Sequence, residues 1–290
     1  MKAVLVIGFF CLLTTLILFT LQHRSLHDGV LHLVFCDVGQ GDAIFVKTPE
    51  GKQILIDGGP DEAVLSCLSE HMPFWDHTLD LVVLTHPHAD HFLGLISVLE
   101  RYTVLSFAIE NISNNTAEYR LLEKLLQDQK ISTKKLLSGN YFQTADGVKL
   151  TVLSPTNVYL KQTSPNGLIG EKEEFASLIL HLAFGSFSAI LTGDTQYRQL
   201  SEAITAVGSV SVLQIPHHGS RSGLTTEILS VLLPKLGVIS VGKNRYGHPA
   251  PLTTDLLDKH KVKTLLTKEA GDIEIIATKE SWRVQCSIGC

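Results

Sequence analysis

The chain has little charge, few cysteines and no excess of basic residues. Charged residues make up 18% of its 290 positions, and the formal net charge is −5. A broad electrostatic surface for nucleic acid needs an excess of basic side chains. Any polyanion therefore has to be bound by a small local group of residues. Hydrophobic residues make up 44%, which is enough for a sizeable core in one large domain or two small ones. There are no internal repeats and no low-complexity tracts.

The five cysteines, at positions 11, 36, 67, 286 and 290, form no C-x-x-C pair. None of them lies near the histidine-rich segment described below, so cysteine is not a candidate ligand there. Cys36 falls in a strand pattern and Cys67 in a helix pattern, and we expect both to be buried free thiols. Cys286 and Cys290 could form a disulfide in an oxidising compartment, and the sequence leaves this open.

The longest apolar run lies at the amino terminus. Residues 3–21 carry no charge and are rich in Leu, Phe, Ile and Val. Their length matches a bilayer core of ~30 Å at about 1.5 Å per residue. A cleaved signal peptide is the alternative, but Phe19–His23 offers no A-x-A cleavage site. We therefore predict a single-pass transmembrane anchor over residues 1–22, a linker over residues 23–28 and a folded domain over residues 29–290.

Orientation in the membrane rests on weak evidence. Lys2 and the amino terminus lie on one side of the apolar run, and Arg24 lies on the other. The rule that positive charge stays inside slightly favours an arrangement with the amino terminus inside. We therefore expect a membrane-anchored protein whose folded domain over residues 29–290 is extracytoplasmic.

Short apolar runs alternate with amphipathic patterns after the linker. The runs predict strands and the patterns predict helices. Clear examples are Leu81–Leu84 followed by Phe92–Leu99, and Phe187–Leu191 followed by Tyr197–Ala206. Many strands first, with helices interposed later, indicate an α/β protein with mixed sheets covered by helices. No linker interrupts residues 29–290, so we predict one domain there.

The segment Thr85–His91 places three imidazoles and a carboxylate within six residues, between a predicted strand and a predicted helix. A tight turn there directs His86 and His88 to one side, and Asp90 and His91 to the other. Imidazole nitrogen and carboxylate oxygen suit zinc, manganese or iron. The split predicts two metal ions rather than one. A chance cluster of histidines on an exposed turn is the alternative, but the ordered H-x-H-x-D-H pattern argues against it.

Two acidic turn motifs precede that segment. Asp37 and Asp42 lie in a turn that also contains two glycines, and Asp57 ends a strand that runs into a glycine pair. A carboxylate in such a place can orient a ligand imidazole by a hydrogen bond, and we assign this supporting role to all three. Each motif is equally consistent with an ordinary turn.

Two later motifs also follow predicted strands. Asp194 is the best candidate to bridge two ions, and helix N-capping ahead of Tyr197 is the alternative. His217 and His218 are adjacent, so they point in different directions and only one of them ligates. We assign His218 to the metal, and His217 to the substrate phosphate or to proton donation.

A last motif follows the strand pattern Val238–Val241. It supplies two cations, a phenol and an imidazole, which together suit the binding of an anion. His248 is a candidate catalytic proton donor. The predicted substrate-binding residues are Ser220, Lys243, Asn244, Arg245 and Tyr246.

In this order, these segments resemble the metallo-β-lactamase superfamily. More narrowly, they resemble the hydrolase domain of ComEC-type competence proteins, the DNA-uptake membrane family. The H-x-H-x-D-H segment alone indicates only the superfamily, whereas its combination with Asp37–Ala43, Pro216–Ser220 and Tyr246–Pro249 is more specific. The resemblance covers about residues 30–280. It implies an αββα sandwich with the metals at one edge, between the sheets.

Two positions depart from the family pattern. The only histidine between the first cluster and Asp194 is His181. If the glycine after its strand turns a hairpin, His181 pairs near Ile190, about 13 Å from Asp194 at ~3.3 Å per residue. We therefore expect His181 to be a strand residue rather than a ligand. The asparagine that ComEC-type domains usually carry near Phe175 is absent, which implies that one metal is held less tightly or is completed by water.

The residues and the resemblance together predict a dinuclear metal-dependent phosphodiester hydrolase, in the first place a DNA nuclease related to competence. Two divalent ions, zinc or manganese, would lower the pKa of a bridging water and neutralise the phosphate oxygens. The two predicted ligand sets share one aspartate and are His86, His88 and Asp194, and Asp90, His91, Asp194 and His218. The predicted catalytic residues are Asp90, His217 and His248. The expected partners are DNA, the membrane and the DNA-uptake machinery.

Two other interpretations use the same residues. A small phosphodiester, a phosphorylcholine ester, a lactam or a thioester is the alternative substrate, favoured by the acidic balance and the missing basic stripe. A non-catalytic DNA-binding subunit of an uptake machine is the alternative class, supported only by the missing middle histidine. Rates on DNA and on small aryl phosphodiesters test the first alternative, and metal content tests the second.

Overall fold

The computed structural model describes residues 7–16, 18, 20, 27–169 and 176–290. Its strands are β1 (Leu31–Phe35), β2 (Ile44–Lys47), β3 (Gln53–Ile56), β4 (Thr78–Leu79), β5 (Leu81–Leu84), β6 (Thr103–Val104), β7 (Ser106–Glu110), β8 (Ser132–Leu136), β9 (Tyr141–Gln143), β10 (Lys149–Ser154), β11 (Ile179–Phe184), β12 (Phe187–Leu191), β13 (Val212–Gln214), β14 (Leu236–Ile239), β15 (Lys263–Leu266), β16 (Ile273–Ala277) and β17 (Trp282–Cys286). The helices after residue 27 are α1 (Ala63–His71), α2 (Ala89–Arg101), α3 (Ala117–Asp128), α4 (Asn157–Thr163), α5 (Tyr197–Ala203), α6 (Thr226–Leu232), α7 (Pro251–Lys259) and α8 (Thr267–Ala270).

Two mixed β-sheets make the centre of the fold. The first has eight strands in the order β17-β16-β1-β2-β3-β5-β7-β8, and the second has seven in the order β15-β14-β13-β12-β11-β10-β9. In the first sheet, β3, β5, β7 and β8 run parallel to one another. In the second, β12, β13, β14 and β15 do so. Parallel neighbours end at the same edge of a sheet, so residues that follow these strands are brought together.

Alternation along the strands divides the apolar residues between two cores. In β1, Leu33 and Phe35 face the core between the two sheets, while Val34 faces a second core under the helices. Successive side chains of a strand point to opposite faces, so burial of both faces requires a layer on each side. The inter-sheet core takes its residues from both sheets, including Leu180 and Leu191 of the second sheet.

Helices cover the outer face of each sheet. Apolar residues of α1, α2 and α3 pack on the first sheet, and those of α5, α6 and α7 pack on the second. The result is the four-layer α/β sandwich that the motifs predicted. The hairpin prediction for His181 is confirmed as well, because His181 pairs with Ile190 in the β11–β12 ladder.

The predicted membrane anchor is wrong. Residues 7–16, 18 and 20 are helical, whereas residues 1–6, 17, 19 and 21–26 lie outside the described residues. No helix in the described part of the chain is both long and apolar enough to cross a membrane. The predicted extracytoplasmic localisation was inferred from this anchor alone, so it is wrong for the same reason.

The expectation of buried free thiols at Cys36 and Cys67 is also wrong. Cys36 follows β1 and Cys67 lies on α1, and the two form a disulfide. Their separation of 31 residues carries no signal in the sequence, because only the packing of α1 against the sheet brings them together. Cys286 and Cys290, which the sequence left open, are also bonded to each other. Cys11 is free and exposed.

Candidate metal centre

The candidate ligands follow strands that end at one edge of the two sheets. His86 and His88 lie in the turn after β5, and α2 begins at Ala89, so that Asp90 and His91 fall in its first turn. From the opposite sheet, Asp194 follows β12, and the motif at residues 217–218 follows β13. Ligands that are far apart in the sequence therefore meet between the two sheets.

A first group of donor atoms is formed by His86, His88 and Asp194. His86 Nε2 lies 3.0 Å from His88 Nδ1 and 3.8 Å from Asp194 Oδ2. His217 adjoins this group, because its Nε2 lies 3.6 Å from the same carboxylate oxygen. His86 is fully buried, whereas His88 and His217 are partly exposed, so this group opens towards solvent.

A second group is formed by Asp90, His91, Asp194 and His218. Asp194 Oδ1 lies 3.3 Å from His91 Nε2 and 3.4 Å from His218 Nε2. His218 Nε2 is also 3.4 Å from Asp90 Oδ2. Asp194 thus presents one oxygen to each group, which is the arrangement expected of a carboxylate that bridges two ions.

Unpartnered buried atoms test whether these residues suit a metal. Within the described residues, His91 Nε2, His218 Nε2 and Asp194 Oδ1 are buried and have no hydrogen bond. Buried polar atoms in native proteins nearly always have a partner, and each orphan needs an explanation. Imidazole nitrogen and carboxylate oxygen are the donors that zinc, manganese and iron take. The donor set fits a divalent transition metal.

The other nitrogens of the ligand imidazoles are held by the protein. His91 Nδ1 lies 2.8 Å from Asp57 Oδ2, and His218 Nδ1 lies 2.9 Å from the carbonyl oxygen of Ser240. Asp57 is itself held by Thr85, whose backbone N–H and hydroxyl both donate to it at 2.7 Å. Such contacts determine which imidazole nitrogen is available to an ion.

Asp42 supports the centre from the other side. One of its oxygens accepts a hydrogen bond from Gln214 Nε2 at 2.8 Å, and the other lies 3.8 Å from His218 Nδ1. Its turn packs tightly on the ligand segment, because a Cβ at Gly41 would lie only 2.3 Å from the carbonyl oxygen of Asp90. The turn over residues 37–43 and the turn over residues 85–91 therefore form one packed unit.

Backbone strain is concentrated at this centre. Asp57, His217 and His218 all have positive φ angles, of 60°, 51° and 54°. L-residues with side chains rarely adopt this conformation, and it persists only where the surroundings impose it. At His217, the backbone N–H donates to the carbonyl oxygen of Gly193, next to the bridging aspartate. The strain directs the two adjacent imidazoles to the two donor groups.

Electrostatics keep the bridging carboxylate ionised. Burial opposes the charge of Asp194, but the imidazoles of His218, His91 and His217 outweigh burial and hold the pKa of that carboxyl well below its usual value. Burial, together with the neighbouring imidazoles of His91 and His88, holds the pKa of His86 well below its usual value. His86 is therefore neutral and ready to ligate.

The two imidazoles of the second group are protonated more readily. Burial opposes a charge on His218, yet the carboxylates of Asp194, Asp90 and Asp42 raise its pKa to about 9. Burial likewise opposes a charge on His91, and the carboxylates of Asp194 and Asp57 raise its pKa well above the usual value. A cation is therefore favoured at this place, and without a metal ion the two imidazoles supply the positive charge as protons.

Comparison with protein families agrees with this centre. The β-lactamase superfamily domain matches residues 52–223, which is more than half of the chain and includes both donor groups. The chain belongs to this superfamily. Its fold is shared with the metallo-β-lactamase fold protein YhfI from Bacillus subtilis, with a TM-score of 0.54 and 16% identity over 83% of this chain and 98% of that one.

Two curated relatives are competence-related proteins. ComE operon protein 3 of Bacillus subtilis is 27% identical over 94% of this chain, and Recombination protein 2 of Haemophilus influenzae is 24% identical over 96% of it. The chain spans 36% and 32% of their lengths, so it covers about a third of each relative.

A cavity lies over the ligands of this β-lactamase-superfamily domain. Its volume is about 340 Å³, and it is lined by Gln40, His88, Ala89, Asp90, Asp194, His217, His218, Tyr246 and His248. A second cleft of about 860 Å³ adjoins it and shares three of these residues, His217, Tyr246 and His248. Ser220 and Arg221 also line that cleft. The candidate ligands are thus at the bottom of an open depression.

The predicted substrate-binding residues separate into two sets. Ser220 and Tyr246 line the cleft, whereas Lys243 and Arg245 are exposed and lie outside the lining of both cavities. Asn244 shapes the loop instead of facing substrate. Its side chain donates to the carbonyl oxygen of His248 and accepts from the backbone N–H of Tyr246.

The three predicted supporting aspartates also differ. Asp57 and Asp42 contact ligand imidazoles, as described above. Asp37 does not: its side chain is exposed and accepts a hydrogen bond from the backbone N–H of Gly39 within its own turn. Gln214 and the Ser240 carbonyl also support the centre, and neither was predicted from the sequence. A neutral amide in a strand and a backbone oxygen carry no recognisable pattern.

We expect Asp57→Asn to weaken metal binding by about 10- to 100-fold, because loss of an outer hydrogen-bond partner typically has this effect. In the wild-type protein, oxygens of Asp57 face His91 Nδ1 and the N–H of Thr85. The side-chain amide of asparagine has only one oxygen, so its N–H₂ group would replace an accepting oxygen at one of these two contacts. Titration of zinc into the metal-free protein measures the change. Asp37→Asn is the matched control, and equal losses in the two variants would contradict the supporting role of Asp57.

Proposed function

We propose that this β-lactamase-superfamily hydrolase is a phosphodiesterase that uses two divalent ions, zinc or manganese, and that its substrate is DNA. One observation carries the proposal. Two groups of donor atoms share Asp194 through different oxygens and lie below a cavity that is open to solvent. A phosphodiester placed in that cavity would meet both groups together.

The ions, when bound, would activate water as a nucleophile and neutralise charge on the phosphate oxygens. The residues of the first ligand set are His86, His88 and Asp194, and those of the second are Asp90, His91, Asp194 and His218. Asp90 is partly exposed, with 34% of its side chain accessible, and it lines the cavity. It is placed to accept a proton from an attacking water.

Two further imidazoles face the substrate side of the cavity. His217 and His248 line both cavities, and their ring centroids lie 5.7 Å apart. Nδ1 of His248 is buried and has no hydrogen bond within the described residues. Burial and the neighbouring His217 and His218 lower the pKa of His248, so it is neutral at physiological pH. We assign His248 to hydrogen-bonding of the phosphate or of the leaving oxygen.

An exposed aromatic ring supports a nucleic acid over a smaller ester. The ring of Tyr246 is 75% exposed at the junction of the two cavities, and it stacks on His248 at a centroid distance of 5.9 Å and an angle of 27°. Aromatic rings beside a nucleic-acid channel stack with bases and tolerate any sequence. Both curated relatives are competence-related, which fits DNA as the substrate and DNA-uptake proteins as partners.

A small phosphodiester is the second candidate. The observation that favours it is the charge distribution, since Arg221 is the only Lys or Arg among the residues that line the two described cavities. A protein with a net charge of −5 attracts a long polyanion weakly. The two candidates differ in whether contacts beyond the phosphate add to catalysis.

The full-length chain loaded with manganese or zinc is expected to cleave single-stranded DNA with a higher kcat/KM than bis(4-nitrophenyl) phosphate. Tyr246→Ala should raise the KM for the oligonucleotide by about tenfold, since stacking of one base contributes about 1–3 kcal/mol. Tyr246→Phe keeps the ring and should retain the low KM. The KM for the small diester should change little in either variant.

The outcomes separate the candidates. Cleavage of the small diester with no cleavage of DNA would support the second candidate and overturn the first. Cleavage of DNA with equal KM in Tyr246→Ala and Tyr246→Phe would remove the stacking argument but leave the nuclease. Absence of bound metal after dialysis against zinc would contradict both candidates.

A further inference from the structure

A second cluster of potential ligands lies outside the candidate centre, where α1 meets the start of β16. Cys67 and His71 are four residues apart on α1, so they lie on one face of the helix, one turn apart. Asp272 directly precedes β16. One ligand atom of each of these three residues lies within 4.8 Å of the others. His71 Nε2 is 3.1 Å from Asp272 Oδ2.

A fourth candidate ligand belongs to the same cluster. Cys36 follows β1, and its sulfur is bonded to that of Cys67, which places it beside one of the three ligand atoms. Both cysteines and Asp272 are buried, and His71 is partly exposed. The cluster shares no residue with either donor group of the candidate centre.

The chemistry of this donor set differs from that of the candidate centre. Two thiolates, an imidazole and a carboxylate are the ligands of a closed tetrahedral zinc site. Cys67 and His71 are four residues apart on α1, so both can bind one ion. The other two ligands, Cys36 and Asp272, adjoin the same helix. In the oxidised protein the two sulfurs are bonded to each other and are unavailable, so the site exists only after reduction.

We propose that reduction of the Cys36–Cys67 disulfide opens a structural zinc site formed by Cys36, Cys67, His71 and Asp272. A dithiol gives two electrons and two protons to the disulfide, so that its own sulfurs form a disulfide and two cysteine thiols result. Each thiol then loses its proton when its sulfur binds zinc. No other group is oxidised or reduced.

This site would join the same elements in the reduced protein that the disulfide joins in the oxidised one. The disulfide connects the end of β1 to α1. Asp272 extends this connection, because its Oδ1 accepts the backbone N–H of Asp37 at 2.7 Å, at the start of the turn that carries Asp42. An ion at the cluster therefore holds the base of that turn in place when the disulfide is open.

Cobalt is the most selective probe, because thiolate ligands give cobalt(II) an intense near-ultraviolet charge-transfer band. The candidate centre contains no cysteine, so cobalt bound there cannot give this band. The parent protein for the test is the full chain with Cys11→Ser, Cys286→Ser and Cys290→Ser, which retains only Cys36 and Cys67. It is compared under anaerobic conditions in the oxidised form and after reduction with a phosphine, which adds no thiol.

We expect the reduced parent to bind one more cobalt per chain than the oxidised parent and to show the thiolate band. Zinc should displace this cobalt and abolish the band. In the reduced protein, His71→Ala should weaken binding of this extra ion by at least about a hundredfold, since a ligand is worth more than the 10- to 100-fold of an outer partner. His77→Ala, a histidine outside the cluster, is the control and should leave the band unchanged.

The proposal is overturned if the reduced parent shows no thiolate band, or if the band is as strong in His71→Ala as in the parent. Circular dichroism and thermal melting show whether the reduced parent is folded. A folded reduced parent whose melting temperature rises on addition of zinc, with a smaller rise in His71→Ala, supports the site. A reduced parent that is unfolded even with zinc present also overturns it.

Discussion

Asp194→Ala is expected to abolish metal-dependent hydrolysis, with a loss in kcat/KM of at least about a thousandfold. The reason is that one side chain serves both donor groups, so its removal takes an oxygen from each. Removing a single preorganised group at a reacting phosphate or carbonyl typically costs about 100- to 1,000-fold. Here the loss extends to metal binding itself, and the bound metal is expected to fall by at least one ion per chain.

The same substitution changes the charge balance of the buried centre. The carboxylate of Asp194 is the strongest attraction that raises the pKa values of both His91 and His218. Without it, the two imidazoles lose their main reason to be protonated, so a folded variant remains possible. Asp194→Asn keeps the shape of the side chain but removes its charge, and this variant should be nearly as inactive as Asp194→Ala. Metal content by mass spectrometry and rates on DNA or bis(4-nitrophenyl) phosphate measure the effect.

The control for this experiment is Asp255→Ala, which removes an exposed aspartate of α7 that lies outside the lining of both cavities. Its activity should match that of the unchanged protein. A folded Asp194→Ala variant that retains full metal content and more than a tenth of the activity would contradict a bridging carboxylate.

Interior strands were predictable from the sequence, and edge strands were not. Phe187–Leu191 and Leu81–Leu84 were predicted with the bounds that β12 and β5 have. Both are buried along their whole length, or nearly so, and therefore consist of continuous apolar residues. β8 was missed because it is the edge of the first sheet, and its first four residues, Ser132–Lys135, are exposed and polar.

The candidate ligands could be predicted for two reasons. Each lies in a short motif that its residue types make recognisable, and each follows a strand that ends at the same edge of the fold. Histidine and aspartate in H-x-H-x-D-H order identify a site by residue type alone, and parallel strands that end at one edge explain why Asp194 and His218 join them. The Cys36–Cys67 disulfide depends on how α1 packs against β1, which no residue pattern encodes. The anchor over residues 1–22 was predicted from hydropathy alone, and no helix in the described part of the chain is long and apolar enough to cross a membrane.

Metal affinity is expected to rise steeply with pH up to about pH 9. In the ion-free protein the pKa of His218 is raised to about 9, and that of His91 is raised well above its usual value. A ligand imidazole has to be neutral, so each of these residues releases a proton when an ion binds. Near neutral pH the expected release is about two protons, and the affinity then changes by about a hundredfold per pH unit.

The sign of the accompanying stability change follows from the same shifts. A histidine whose pKa is raised by folding stabilises the ion-free protein below its unfolded pKa of about 6.5, and this stability is lost as the pH rises through its folded pKa. For His218 that loss extends to about pH 9. The ion-free protein therefore becomes less stable over this range while metal binding becomes stronger. The rise in melting temperature caused by zinc should grow between pH 6 and pH 9.

Calorimetric titration of metal in buffers with different enthalpies of ionisation counts the protons released. His218→Ala should lower the count by about one, because it removes a protonated ligand. His86→Ala is the matched comparison: it also removes one ligand imidazole, but burial and its imidazole neighbours lower the pKa of His86, so the count should stay unchanged while the affinity falls. Equal proton release by the two variants would contradict the assignment of the charge to the second donor group. A zinc affinity that does not depend on pH between 6 and 9 would contradict the protonated state of His91 and His218 altogether.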